Sequence, residues 1–206
     1  MSRFEMQPLG YKYNALEPFI DEKTLEIHYN QLYADDLYQL NWAVDKEPEF
    51  FQGKTMVDVL KDPLSIPKEI RKIVLDRGGS VLNHEMYFKC MSPNGGGAPM
   101  GRLAKDINDQ FGNFEGFKRA IARVAQNVYE PGWVWVVVTP DKKLDIVKTL
   151  TQANPYSLGV TPLFGIDLWE HAYWAKYPGK IRSYLDAFWN VINWDYIEQR
   201  YEEIMK

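Results

Sequence analysis

Asp167 and His171 stand four residues apart in the stretch Gly165-Ile-Asp-Leu-Trp-Glu-His-Ala-Tyr-Trp174. On a helix or a tight helical turn that spacing puts two side chains on one side, roughly 5–6 Å apart at Cβ. A carboxylate oxygen and an imidazole nitrogen so placed can share one metal ion. Trp169 and Glu170, between them, are expected to point elsewhere. The pair alone is a weak signal, because such pairs usually lie on solvated helix faces and a motif needs its structural context. The chain has three histidines, His28, His84 and His171, and one cysteine, Cys90. A thiolate cluster is therefore excluded, and an imidazole site must draw on those three residues. Cys90 itself reads as a small hydrophobe at a helix end.

The 206 residues suffice for one large domain or two small ones. With 46% hydrophobic and 15% aromatic residues, a dense core is expected rather than disorder. The net charge is −4 and no long basic run occurs, so nucleic acid is not an expected partner. No apolar run reaches the ~20 residues that span a bilayer, and the first residues carry no hydrophobic signal segment. A cytoplasmic protein without a membrane partner is the expectation.

Residues 1–20 read as an extended arm punctuated by Pro8, Gly10 and Pro18, with Tyr11, Tyr13, Leu16 and Phe19 able to pack it down. Asp21 is a good N-cap for a helix from Thr24 to about Val44, whose stripe is Leu25, His28, Leu32, Asp36, Leu40 and Ala43. A histidine in such a stripe is most often a hydrogen-bonded core residue. A buried aspartate is rarer, since unpaired burial costs several kcal/mol. A connection over 45–63, with a short helix near Thr55–Leu60, leads to a second helix starting near Ser65. Gly78-Gly79 inside that helix suggests a bend or the close approach of another backbone. The two helices form a hairpin whose facing stripes bring His28 and His84 together.

Met91-Ser-Pro-Asn-Gly-Gly-Gly-Ala-Pro99 breaks regular structure and is the expected domain boundary, giving 1–91 and 92–206. Helices follow over 101–111 and 114–129, ended by Gly112 and capped by Asn113. Trp133–Thr139 and Leu144–Leu150 read as a hairpin of strands. Pro162–Leu168 is a third strand that delivers Asp167, and helices over 181–191 and 194–205 end the chain, with Asn193 as a cap. The fold class is α+β: an N-terminal antiparallel helical hairpin and a C-terminal domain with a three-stranded antiparallel sheet flanked by helices.

In this order and spacing several segments resemble the iron/manganese superoxide dismutase family along nearly the whole chain. They are Leu16-Glu-Pro-Phe with Thr24-Leu-Glu-Ile-His28, Asn83-His84, Pro93-Asn-Gly-Gly-Gly97, Gly132-Trp-Val-Trp135, Asp167-Leu-Trp-Glu-His-Ala-Tyr173 and Phe188-Trp-Asn-Val-Ile-Asn-Trp194. The resemblance implies four metal ligands, His28, His84, Asp167 and His171, holding one manganese or iron ion per subunit. It implies an oxidoreductase that turns superoxide into oxygen and hydrogen peroxide. Nitrogen and oxygen ligands of this kind suit manganese or iron and do not exclude zinc. Gln152 matches the glutamine of manganese-type members that bonds the solvent on the metal. Iron-type members place a glutamine four residues before the second histidine, where this chain has Ser80, so manganese is favoured. Trp133, Trp169 and in part Trp135 would wall the site; as bare residues they read as core aromatics. Glu170 matches the glutamate that reaches across a twofold interface, which implies a homodimer built through Glu170 and Trp174. With a negative net charge, attraction of the anion must be local. Lys176, Lys180 and Arg182 are candidates for it, or simply a solvated basic face.

The departures cluster at the substrate gateway. Leu32 replaces a histidine, Asp36 a tyrosine, Phe88 a tryptophan and Trp174 a tyrosine of the usual pattern. Asp36 is the sharpest: in a desolvated channel it could donate a proton, its anion would repel superoxide, it could serve a different substrate or the metal through water, or it could swing out to solvent. The rebuilt gateway keeps two further readings open. One is a metal-dependent oxygenase or other redox enzyme acting on an organic substrate; the other is a non-enzymatic metal-binding homologue.

Overall fold

The computed structural model describes residues 3–126 and 130–206. Asp21 caps the first helix as expected, its Oδ1 accepting from the Thr24 backbone at 3.0 Å. That helical segment has three parts: α1 (Glu22–Ile27), a π-helical turn (His28–Tyr33) and α2 (Ala34–Lys46). The π turn hydrogen-bonds i to i+5 and so takes up about one more residue than an α turn. This corrects the expected stripe at one position: Tyr33 is fully buried, and Leu32 is only half-buried. Leu25, His28, Asp36, Leu40 and Ala43 keep their places in the interior.

Helix α3 (Met56–Lys61) starts on a capping box in which Thr55 and Asp58 satisfy each other's backbone donors. The second long segment runs through α4 (Lys68–Ile73), another π turn (Val74–Gly78) and α5 (Gly79–Lys89). Ser65 does not cap α4. It closes a 3-10 turn, with its hydroxyl on the Asp62 carbonyl at 2.8 Å. Pro67 holds Ile66 in an extended conformation, so the helix begins only at Lys68. Of the two alternatives suggested by Gly78-Gly79, the close approach occurs, and the helix is interrupted there by the π turn. The π turn ends at Gly78, and a Cβ on Gly79 would lie 2.3 Å from the Gln152 carbonyl oxygen. The N-terminal arm packs down on this hairpin: the Tyr11 hydroxyl donates to the Phe88 carbonyl at 2.9 Å, and the Tyr29 hydroxyl to the Gln7 carbonyl at 2.7 Å.

After Met91, which bridges to Ile192, come α6 (Gly101–Phe111) and α7 (Phe114–Gln126). Gly112 takes the positive φ (82°) that ends α6, and the Asn113 side chain accepts from the Gly116 backbone at 2.7 Å to start α7. The expected extension of α7 to residue 129 falls on 127–129, outside the described residues. The sheet is antiparallel in the order β2-β1-β3, with β1 (Gly132–Val138), β2 (Leu144–Leu150) and β3 (Thr161–Asp167). All of β1 is buried, as its run of valines and tryptophans dictates for a central strand. Helix α7 packs on β1 and β2, while α5 and α9 (Trp194–Met205) pack on β3. Helix α8 (Ile181–Phe188) lies against α7, and Asn193 caps α9 through the Tyr196 backbone at 3.3 Å. Among the described residues no helix is long and apolar enough to cross a membrane.

Candidate metal centre

Four elements converge on one point. His28 opens the first π turn, His84 lies in α5, Asp167 is the last residue of β3, and His171 sits in a single 3-10 turn (Glu170–Ala172). Asp167 thus does not share a helix with His171. The Trp169 backbone donates to Asp167 Oδ1 at 2.8 Å, and this tight turn brings His171 Nε2 to 3.1 Å from Oδ2. Trp169 does not point elsewhere either; its ring stacks on His171 with centroids 5.7 Å apart.

One ligand atom from each of His28, His84, Asp167 and His171 lies within 4.8 Å of all the others. Nε2 of His28 is 3.2 Å and Nε2 of His84 3.8 Å from Asp167 Oδ2, yet among the described residues both nitrogens are buried without a hydrogen-bond partner. Orphaned buried nitrogens are costly. A cation between them and the carboxylate removes the cost, so the residues fit a metal ion. The His84 tautomer suits this. Its Nδ1 donates to the Ser80 carbonyl at 2.8 Å, which leaves Nε2 as a lone pair facing the site.

The electrostatics agree with a site held ready for a cation. Burial, reinforced by neighbouring His28, lowers the His84 pKa to about 3, and burial lowers that of His28 as well. Burial pushes Asp167 upward. The charge and hydrogen bond of His171, with help from His28, outweigh that push and keep the carboxyl well below its usual range. Neutral imidazoles and an ionised carboxylate are the forms that bind metals.

Trp133 is fully buried, its ring edge-on to His84 with centroids 5.3 Å apart. Its Nε1 donates to Gln152 Oε1 at 3.0 Å, and Asn83 Nδ2 donates to the same oxygen at 3.2 Å. Asn154 holds Asn83 in turn, Nδ2 to Oδ1 at 2.7 Å. With its oxygen engaged twice, Gln152 keeps its NH2 end as the donor. Trp135 stacks behind Trp133, with centroids 5.4 Å apart. Phe88 packs edge-on against His28, with centroids 5.3 Å apart.

Asp36 is buried and does not swing out to solvent. Arg77 Nη1 donates to its Oδ1 at 2.5 Å, and Ser80 Oγ donates to its Oδ2. Burial raises the Asp36 pKa against the opposing pull of Ser80 and Arg77. Sequence reasoning named neither Arg77 nor Tyr33, whose hydroxyl donates to Glu85 at 3.1 Å beside the site. The signal for Arg77 lay in the hairpin itself. Asp36 follows His28 by eight residues and Arg77 precedes His84 by seven, so antiparallel packing sets them opposite.

Of the suggested anion guides, Lys176 is tied to Glu17 at 2.9 Å and Arg182 lies 3.6 Å from Asp186. Lys180 is exposed ahead of α8. Glu170 is exposed, as is Trp174 at 47%, while the His171 side chain keeps 25% of its surface. A cleft of about 400 Å³ opens over His171, lined by Trp169, Glu170, Tyr173 and Ile181.

Residues 3–92 match the family model described as iron/manganese superoxide dismutases, alpha-hairpin domain, and residues 99–200 match the corresponding C-terminal domain. Curated relatives are similar end to end. The superoxide dismutase [Mn] of Thermus aquaticus is 39% identical over 97% of both chains. That of Listeria monocytogenes is 41% identical over 97% of this chain and 98% of its own. The superoxide dismutase [Mn/Fe] of Methylomonas sp. (strain J) is 39% identical over 98% of this chain and 99% of its own. Four residues able to hold a metal ion, inside a hairpin-plus-sheet fold matched along both halves, lead to one conclusion: the chain belongs to the iron/manganese superoxide dismutase family.

Proposed function

We propose that the protein dismutates superoxide at one manganese ion per subunit, with iron as the alternative metal. The carrying observation is the pair of orphaned imidazole nitrogens, His28 Nε2 and His84 Nε2, aimed at a buried carboxylate. When bound, the metal supplies both half-reactions by cycling between +3 and +2. Two superoxide ions and two protons then give one oxygen and one hydrogen peroxide.

The chain's part is to hold the ion, exclude bulk water and place a proton donor. Trp133, Trp169 and Phe88 supply apolar walls. Gln152, fixed by Trp133 and Asn83, presents an amide donor and acts as the positioning residue for the proton supply. Asp36 is compensated by Arg77, so an arriving anion meets an ion pair rather than a bare carboxylate. That removes the main objection to superoxide raised by an aspartate at the gateway.

The remaining features of the reading are also proposals. The exposed Glu170 and Trp174 beside His171 support a homodimer built on that face. The two matched spans support a division into 1–91 and 92–206. The absence of a membrane-crossing helix among the described residues, together with the sequence, is consistent with a cytoplasmic location. The relatives named above favour neither an oxygenase nor a non-catalytic role.

The test is superoxide turnover by purified protein loaded separately with manganese and iron, with metal content measured in the same samples. Turnover far above that of free metal, and its loss together with the metal in His171→Ala, is expected. A loaded protein no faster than the aqueous ion refutes the proposal.

A further inference from the structure

Ser80 Oγ stands between two groups. It donates to Asp36 Oδ2 and lies 3.1 Å from His84 Nδ1. The proton inventory fixes the direction. The Ser80 carbonyl can only accept, so His84 Nδ1 carries the hydrogen and shares it between that carbonyl and Ser80 Oγ. The single hydroxyl hydrogen of Ser80 then goes to Asp36. Arg77 engages the other carboxylate oxygen and fixes the rotamer of Asp36. All the members except Arg77 are buried.

We infer that Asp36, acting through Ser80, is a positioning residue that polarises the Nδ1–H of His84 and thereby lowers the reduction potential of the ion His84 holds. The inference rests on the metal reading above. A carboxylate at the end of a hydroxyl bridge draws the Nδ1 proton outward and gives the imidazole more anionic character. That makes Nε2 a stronger donor, which favours the +3 state over +2. The serine alone, with a neutral hydrogen-bond acceptor behind it, does this less well.

The experiment is a mediated redox titration of manganese-loaded protein, followed by the visible absorption of manganese(III), in wild type, Asp36→Asn, Ser80→Ala and the double variant. Each single variant is expected to raise the midpoint by about 59 mV or more, a tenfold change in the oxidised-to-reduced ratio of a one-electron couple. The double variant is expected to match Ser80→Ala, because cutting the bridge removes the dependence on Asp36. Equal midpoints in wild type and Ser80→Ala overturn the inference. So does a further rise when Asp36→Asn is added to Ser80→Ala, which would mean a through-space charge effect rather than a hydrogen-bonded one. If Asp36→Asn fails to fold, the Ser80→Ala midpoint decides by itself. A wild type that takes up manganese and turns over superoxide while its variants do not shift loses this inference alone; a wild type that binds no manganese loses the underlying reading too.

Discussion

Gly79→Ala separates two forces of opposite sign. Gly79 has φ −58°, an ordinary helical value, so alanine fits its backbone. By helix propensity the change stabilises by about 1 kcal/mol. The space says otherwise. A Cβ there would meet the Gln152 carbonyl oxygen at 2.3 Å, so that backbone must retreat by about 1 Å. Overpacking of this kind costs about 1–3 kcal/mol or more, and the listener is a rigid carbonyl that also accepts from Asn83 Nδ2 at 3.2 Å. The net expectation is a loss of up to about 2 kcal/mol, a fall in Tm of up to about 8 °C for a chain of this length. Function should suffer more than stability. Gln152 is carried on the displaced segment, and a 1 Å misplacement can lower a rate about 100-fold. Gly78→Ala is the control: its Cβ would meet the Met56 Sδ at 2.6 Å and Cε at 3.3 Å, the movable end of a flexible side chain, with Leu40 Cδ1 in ordinary contact at 3.5 Å, so it should cost much less than Gly79→Ala. Thermal melts at fixed manganese content, with turnover on the same samples, read both effects. A Gly79→Ala protein as stable as wild type and fully active would falsify the close approach.

Other outcomes follow from the same geometry. The pKa of His84 falls from its ordinary value to about 3 on folding, so the unfolded chain binds the extra proton between those limits. Stability of the metal-free protein should therefore decline as pH drops below about 6.5, by at most about 1.4 kcal/mol per unit for that group. Urea midpoints at several pH values check this, and a flat profile from pH 7 to 4 contradicts it. Asp167, depressed on folding, adds stability above the unfolded carboxylate pKa that is lost only at still lower pH. Trp133→Phe deletes the Nε1 donor to Gln152 and should cost about 1 kcal/mol, with turnover reduced; unchanged kinetics would show that Gln152 does not need that bond. Cys90 is fully buried and its thiol pushed up to about 12 by that burial, so iodoacetamide at pH 8 should modify it only after unfolding, as mass spectrometry would show.

Much of this arrangement was legible because the signals were local or periodic. Asp21, Gly112, Asn113 and Asn193 are caps readable from residue type, and each sits where its helix starts or stops. The candidate ligand set was legible through the family resemblance; the small number of histidines and the facing stripes only narrowed the choice. What could not be read was non-local or depended on a departure from regular geometry. The replacement of Leu32 by Tyr33 in the interior stems from a π turn that no 3.6-residue period anticipates. The state of Asp36 hung on Arg77 and Ser80, more than forty residues away, and only the hairpin register places them. The start of α4 at Lys68 rather than Ser65 reflects the restraint Pro67 exerts on its predecessor, which outweighs the capping preference of a serine.

The two π turns bear on how the chain tolerates insertion and deletion. An α-helix rotates by about 100° per residue, so the extra residue wound into His28–Tyr33 sets the angular phase of everything in α2 relative to His28. Removing one residue between Tyr29 and Gln31 would let the segment run as plain α-helix with its backbone bonds intact. Because the π turn is what absorbs that residue, Asp36 would keep its phase opposite Arg77 and Ser80, and His28 would stay in place. A single-codon loss there should therefore spare both metal uptake and the carboxylate's grip on the opposite helix, whereas loss of Asp35, from plain α-helix, would turn Asp36 by about 100° and break that grip, a lesion of phase rather than of composition.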